Sequence, residues 1–433
     1  MKERTSCQIA HIADGQPSHR LLASGTICIL SFLALLPVIM GGREELQAVI
    51  EGNGHFTKKL YNVLAQKEGN VFFSPISAHA VLAMAYQGSK GTTHEAFGKV
   101  LGFSGHLQAA EGYSDVLSHL NNVPNVQLLM ANKIFVAEDA SLKPTFQEIT
   151  AKKFLSEVQP VNFGNNNATA KLINGWVEDK TQNKIKDLIS PDSLNSATRL
   201  VLVNAIYFKG TWASKFDKSL TVTDKFYLND VDSIDVQMMN NKGKYFFKED
   251  EALDAKVLEL PYSNPEVSLI VILPNKRNGI AQLEEKLANT DLSKITENMY
   301  KPEVVVKLPK FKMEATIQMN EVLEKVGLGV IFSQGEANFS DMLTGSEPLY
   351  VSEVIQKAFI EVNEEGTEAA AATGLLRSRR AIHMPETFEA NKPFLFALSY
   401  GERLERKDAN KGVLFIGKML KPSVGLQTPH DEL

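Results

Sequence analysis

The chain has 433 residues, 44% of them hydrophobic and 22% charged, with a formal net charge of −5. That is the composition of an ordinary globular protein with enough apolar material for a sizeable core. The mild acidity argues against a nucleic-acid binder, which would carry a basic balance.

The first feature along the chain is the apolar run LLASGTICILSFLALLPVIM, residues 21–40, which follows Arg20 and ends at Gly41-Gly42. It reads as the core of a secretory signal peptide occupying residues 1–42, with no clear small-x-small cleavage site before Arg43. An uncleaved anchor is the alternative, since about 20 apolar residues can span a bilayer. Ser24, Gly25, Thr26, Ser31 and Pro37 weaken that alternative. Both cysteines, Cys7 and Cys28, fall in this leader. Once it is removed, neither disulfides nor thiol catalysis are expected.

Gly52-Asn53-Gly54 follows the leader in a polar stretch and reads as a loop. Ser74-Pro75 predicts a helix start, a cap residue followed by proline at the first helical position, with Ile76, Ala80, Val81, Met84 and Ala85 on one face. Thr92 with Glu95 three residues on predicts a capping box ahead of Phe97, Val100 and Leu101. An amphipathic helical stretch is expected over residues 168–189, marked by Leu172, Trp176, Ile185 and Leu188. Residues 200–208 are apolar on both faces and predict a central buried strand. Residues 256–260 and 267–273 flank the turn-rich Pro261-Tyr262-Ser263-Asn264-Pro265 and predict a hairpin. Further strands are expected at 304–308, 394–398 and 413–416. Helices and strands mix without strict alternation, and no repeat or linker divides residues 43–429. The class is therefore α+β; length alone would suggest two or three domains.

Signatures of catalysis are missing. There is no Gly-x-Ser-x-Gly elbow and no phosphate-cradling glycine loop. His94-Glu95 lacks a second histidine four residues on, so it is not a zinc helix. No catalytic residues, no metal and no cofactor are expected. Two glycosylation acceptors occur, Asn167-Ala168-Thr169 and Asn338-Phe339-Ser340. The chain ends in His430-Asp431-Glu432-Leu433, a tail read by the retrieval receptor of the endoplasmic reticulum. Together with the leader it predicts residence in the lumen of the secretory pathway, with some protein secreted.

Several runs resemble the serpin family. Residues 70–77 (NVFFSPIS) look like its signature near the start of the fold. Residues 202–212 (LVNAIYFKGTW) resemble its central strand, and Asn174-Gly175-Trp176-Val177 with Thr181 and Lys184-Ile185 matches another motif. Residues 359–367 (FIEVNEEGT) resemble the hinge, and residues 391–396 and 412–417 resemble the C-terminal strands. The likeness covers roughly residues 50–422, in order. It implies three β-sheets, about nine helices and one exposed reactive loop, residues 364–388, in a single domain over residues 43–429. With the tail, it resembles an insect-type, reticulum-retained serpin directed at furin-like proprotein convertases. One departure stands out. Serpins often carry histidine before the Lys-Ala ahead of the hinge, where this chain has Gln356. Glutamine cannot become a cation near neutral pH, which puts any pH-sensitive opening at that position in doubt.

The strip from Glu364 to Ala381, EEGTEAAAATGLLRSRRA, joins a small-residue half to a basic half. A segment that must become an added strand buries alternate side chains, which have to be small or apolar. Thr367, Ala369, Ala371 and Thr373 form such a set, and Glu368 falls on the opposite one. Gly366 supplies hinge freedom, and no proline interrupts residues 364–384. The run taken alone also suits a helix stub; the hinge resemblance decides for the strand. In the family the scissile bond usually lies fourteen residues past the hinge glycine, which places it at Arg380–Ala381. Arg377, Arg379 and Arg380 then form an Arg-x-Arg-Arg site of the kind read by furin-like convertases, whose acidic clefts pair guanidinium groups with carboxylates.

The resemblance thus implies a monomeric suicide inhibitor of convertases, trapped as a covalent acyl-enzyme. A non-inhibitory chaperone of the reticulum is the alternative from another class, although it has no need of the small-residue hinge. Inhibition of trypsin-like or papain-like proteases through Arg380 alone is a third reading.

Overall fold

A computed structural model describes residues 25–121, 123–288, 290, 295–365, 384–401 and 411–423, with side chains from residue 44 onward. Residues 1–43 and 44–433 form two units. Of the first, only the helical backbone of residues 25–43 is described. No described helix is long and apolar enough to cross a membrane.

In chain order the elements are α1 (Gly25–Leu64), β1 (Val71–Phe73), α2 (Pro75–Tyr86), α3 (Gly91–Leu101), α4 (His106–Leu120), β2 (Val126–Ala137), α5 (Pro144–Lys153), β3 (Val158–Val161) and α6 (Asn166–Lys180). There follow β4 (Leu200–Gly210), β5 (Val222–Tyr227), β6 (Ser233–Lys244), β7 (Phe246–Asp250), β8 (Ala255–Pro261), β9 (Val267–Pro274) and α7 (Ile280–Ala288). The chain closes with β10 (Glu303–Pro309), β11 (Phe311–Gln318), α8 (Asn320–Leu323), β12 (Glu353–Val362), β13 (Glu386–Glu389), β14 (Phe394–Tyr400) and β15 (Gly412–Met419). Eight α-helices are thus present among the described residues, against the nine or so expected.

The strands form three sheets, ordered β1-β15-β14-β9-β8-β7, β13-β10-β6-β5 and β11-β12-β4-β2-β3. The expected hairpin is β8–β9, antiparallel from Ala255↔Pro274 to Pro261↔Ser268. The expected central strand is β4, third of five and buried from Leu200 to Phe208. Its alternation serves two apolar clusters. Leu202, Ile206 and Phe208 face the main core with α2, while Val201, Val203, Ala205 and Tyr207 face a smaller cluster under α6 with Ile173 and Val177.

Four local expectations need correction. The helix opened by Ser74 is capped as expected, its hydroxyl accepting from the Ser77 amide at 3.4 Å. It does not have one apolar face, however: all twelve residues of α2 are buried, because the helix lies within the core against β15, β4 and β2. A helix apolar all round is a buried helix. Gly52-Asn53-Gly54 is not a loop but part of α1. Asn53 is buried and its Oδ1 accepts from Val413 N at 3.1 Å. A Cβ on Gly52 would stand 2.2 Å from the Leu101 carbonyl oxygen, so glycine there allows helices to meet rather than marking a turn.

The capping box at Thr92 does not form. α3 begins at Gly91 with Lys90 as its cap and no side-chain cap bond. Its N-terminus is tied instead to a distant loop, with Lys90 N donating to Asn338 O (2.9 Å) and Asn338 N to Thr93 Oγ1 (2.9 Å). Finally, α6 stops at Lys180, and Gln182, Asn183 and Asp187 take left-handed backbone. Ile185 and Leu188 are buried as expected, folded back by Asn174, which bonds both N and O of Ile189 at 2.9 Å. Leu172 is 41% exposed.

Candidate functional site

The strand that leads to the expected hinge is β12. On one side it pairs antiparallel with β11 from Phe311↔Val362 to Gln318↔Ile355. On the other it pairs parallel with β4, from Glu353↔Val201 to Glu361↔Lys209. Parallel ladders are slightly less stable per residue than antiparallel ones. A chain turning back after Val362 would run antiparallel to both β12 and β4. Inserted there, it would replace one parallel ladder with two antiparallel ones. Along β12, Val354, Gln356, Ala358, Ile360 and Val362 are fully buried on the core face.

A polar latch crosses this seam. Gln356 and Asn204 stand opposite each other in the register, and Gln356 Nε2 donates to Asn204 Oδ1. Gln356 Nε2 also donates to Ser74 O at 2.8 Å, and its Oε1 accepts from Ser74 N at 2.9 Å. Asn204 Nδ2 reaches Ser77 Oγ and Asn132 Oδ1, and Ser77 Oγ donates to Asn132 Oδ1 at 3.0 Å. Ser74 Oγ donates to Leu414 O at 2.6 Å. The latch therefore ties β12, β4 and β2 to the start of α2 and to β15. Every member is neutral and hydrogen-bonded, as buried polar groups must be. With Gln356 in place of a histidine, nothing in it titrates near neutral pH.

A second fastening holds the end of β12. Trp212 is buried against Tyr262, with ring centroids 4.2 Å apart and planes at 13°, and its indole N–H donates to Asn363 O at 2.7 Å. The Glu364 side chain is buried. Its Oε2 meets Lys310 Nζ at 2.8 Å and its Oε1 accepts from Thr221 Oγ1 at 2.8 Å. Burial alone pushes this carboxyl up, but Lys310, Thr221 and its own backbone N–H together hold it below the usual carboxylate range. Glu365 is more exposed. It faces Lys218 at 3.3 Å and Lys209 at 3.6 Å, and these two lysines also hold its carboxyl low.

Of the hinge residues expected from sequence, only Glu364 is described. Gly366, Thr367, Ala369, Ala371, Arg377, Arg379, Arg380 and Ala381 lie outside the described residues, as do His430, Asp431, Glu432 and Leu433. The described chain resumes at Met384, 86% exposed, and enters β13, which pairs parallel with β10 from Glu386↔Val304. Asn167 is exposed in the first turn of α6. Asn338 is exposed in a loop, its Oδ1 accepting from Ser340 N at 3.1 Å.

Sequence reasoning missed the partners of the hinge, Trp212, Thr221, Lys209, Lys218 and Lys310, and all of the latch beyond Gln356. A signal for the latch was present: Asn204 is a lone amide in an apolar strand, and a buried amide requires partners. No comparable signal marked the lysines, which look like any surface lysine.

Comparisons with known proteins place these features. A family model described as serpin (serine protease inhibitor) matches residues 51–422. The chain is 41% identical over 377 residues to the antitrypsin of Bombyx mori, covering 86% of this chain and 96% of that protein. It is 36% identical over 399 residues to the alaserpin of Manduca sexta, covering 91% and 99%. Among solved structures it is similar to Serpin48 of the insect Tenebrio molitor, with a TM-score of 0.76 at 35% identity over 87% of this chain and 98% of that one.

Proposed function

The chain belongs to the serpin family of protease inhibitors, and on that premise we propose that it traps furin-like proprotein convertases in the secretory pathway by attack at Arg380–Ala381. The protease's serine oxygen adds to the Arg380 carbonyl carbon. The bond to the Ala381 nitrogen breaks, and the amine leaves with the proton taken from the serine. An ester now joins protease to Arg380, and the segment ahead of it is free to enter the seam between β12 and β4. Serpin loop insertion is a recognised case of strand addition with release of stored strain.

The observation that carries this reading is the closed parallel seam itself, β12 against β4 over nine register pairs. It leads directly into a hinge whose following residues are small at alternate positions. Arg377, Arg379 and Arg380 supply the convertase preference. The leader and the HDEL tail, with its retrieval receptor, supply the location. Mixing the purified protein with furin and running a denaturing gel tests the proposal. A covalent band at the summed mass is expected. Clipping at Arg380 with full turnover of the protease overturns it.

A second reading has its own support, since one relative is named antitrypsin. A trypsin-like protease would read mainly Arg380. Arg377→Ala separates the two: it strongly weakens inhibition of a convertase and barely changes inhibition of trypsin.

A further inference from the structure

Helices α3 and α4 are joined by residues 102–105, with Gly102 in the left-handed region at φ +79° and Phe103 buried. His94 lies near the start of α3 and His106 is the first residue of α4. Their rings meet edge to face, centroids 4.4 Å apart at 78°, with His94 Nδ1 2.8 Å from His106 Nε2. The Tyr86 ring, at the end of α2, lies 4.7 Å from each of them, and its hydroxyl is 3.2 Å from His94 Nε2. Gln87 Nε2 donates to His106 O at 3.1 Å. The corner of three helices is thus closed around two imidazoles in direct contact.

A 2.8 Å contact between ring nitrogens requires a hydrogen on one and a lone pair on the other. The pair accepts a first proton without losing the bond, because the uncharged ring can still offer its lone pair. A second proton removes that lone pair and sets two N–H groups and two positive charges against each other. We propose that the α3–α4 corner is an acid-labile joint, closed while the His94–His106 pair carries at most one proton and opened when both rings are charged.

Burial and the neighbouring ring oppose charging of the pair. Burial holds the His106 ring below its usual value, with His94 adding to the effect; Asp341 and the Tyr86 carbonyl oppose it. Asp341 is itself paired with Lys143 at 3.3 Å and anchored to the end of α2 through its N–H to Gly88 O. Lys90 and Glu95 flank His94 in the sequence, and Glu111 on α4 is paired with Lys153 of α5 at 2.6 Å. The Tyr86 phenol is pushed up to about 12 by burial and stays neutral. His79, deeper in the same bundle, bonds Tyr113 Oη at 2.5 Å and Leu101 O at 2.9 Å. Burial lowers it to about 4, so it takes no proton where the pair does. The device matters for position: α4 precedes β2, the strand that carries Asn132 of the latch.

Hydrogen exchange read by mass spectrometry at pH 7.4 and 5.5, corrected for intrinsic rates, tests the joint in the full chain. Peptides from residues 91–120 are expected to exchange about tenfold faster at pH 5.5, while peptides of α6 do not change. In His106→Gln the same peptides should be equally protected at both pH values. Unchanged protection in the wild type, or the same acid-induced rise in the variant, would overturn the proposal. Should the variant misfold, NMR titration of wild-type ring protons decides. A His106 midpoint below the ordinary ~6.5 is expected; a midpoint at or above that value refutes it. Neither measurement involves a protease, so the outcome is separate from the target assignment.

Discussion

The strand β12 is fastened at two places by opposite chemistry. At its middle, Gln356 joins a buried net of amides and hydroxyls with no charge. At its end, Glu364 and Glu365 are held by lysines at the protein surface. A neutral net derives its strength from the cost of leaving buried groups unpaired. It is indifferent to salt and to pH. A charged fastening is weakened by solvent screening and depends on ionisation. The middle of the seam therefore sets how firmly the sheet stays closed, whereas the charged end sets how readily Glu364 and Glu365 come away.

The largest effect is expected at the latch. Gln356→Ala strips partners from Ser74 N, Ser74 O and Asn204 Oδ1 in one step and leaves a cavity. The loss should be about 2–4 kcal/mol, read as a lower midpoint of thermal unfolding of the uncleaved protein and unaffected by added salt. At the hinge, Lys310→Met leaves the Glu364 carboxylate buried with only Thr221 and its own backbone N–H beside it. Lys310 is itself 40% exposed, so screening limits the loss to about 1–2 kcal/mol. Here high salt should narrow the gap to wild type. If salt narrows the Gln356→Ala gap to the same degree, the contrast between the two fastenings fails.

The same contrast explains what the sequence disclosed. β4, the β8–β9 hairpin and the capped start of α2 were legible because each rests on neighbours in the chain: apolar runs, a proline-bounded turn, a serine before a proline. Gly52-Asn53-Gly54 misled because glycine there serves the approach of Leu101, almost fifty residues away in sequence. The box at Thr92 misled because Asn338 had already claimed the helix start. The hinge was readable as a motif. Its fastenings were not, because Trp212 reaches Asn363, and Lys310 reaches Glu364, only once sheet register brings them together. Residues whose role depends on a distant partner carry no local mark.

A pH comparison sharpens the difference. Glu364 and Glu365 have folded carboxyls below their unfolded range. Their contribution is therefore complete above the ordinary carboxylate value and is lost only as pH falls through the lower folded value. Between pH 5.5 and 7.5 both fastenings should be constant. Gln356→His changes that at the latch alone. An imidazole buried there would have its pKa lowered by desolvation. The folded state would then bind fewer protons than the unfolded one, and stability would fall as pH drops below ~6.5, by up to about 1.4 kcal/mol per unit. The measurement is the variant-minus-wild-type difference in thermal midpoint at pH 7.5 and 5.5, which cancels the other histidines. A difference that does not widen on acidification would mean the position is wetter than its burial indicates.

The smallest effect is the most discriminating. Glu365 is 53% exposed and its lysines are 70% and 37% exposed, so Glu365→Gln should cost no more than about 0.5 kcal/mol and nothing measurable in high salt. Two neighbouring carboxylates would then differ severalfold in weight, because one is shut away from water and the other is not. That ordering makes Glu365 the natural first release: its pairs can part without exposing a buried charge, and the backbone beyond it is the glycine of the hinge. If Glu365→Gln instead destabilises as much as Lys310→Met, the two glutamates act as one network spanning Lys209, Lys218 and Lys310. The hinge would then open as a unit, and the division of β12 into a firm middle and a loosely held end would have to be given up.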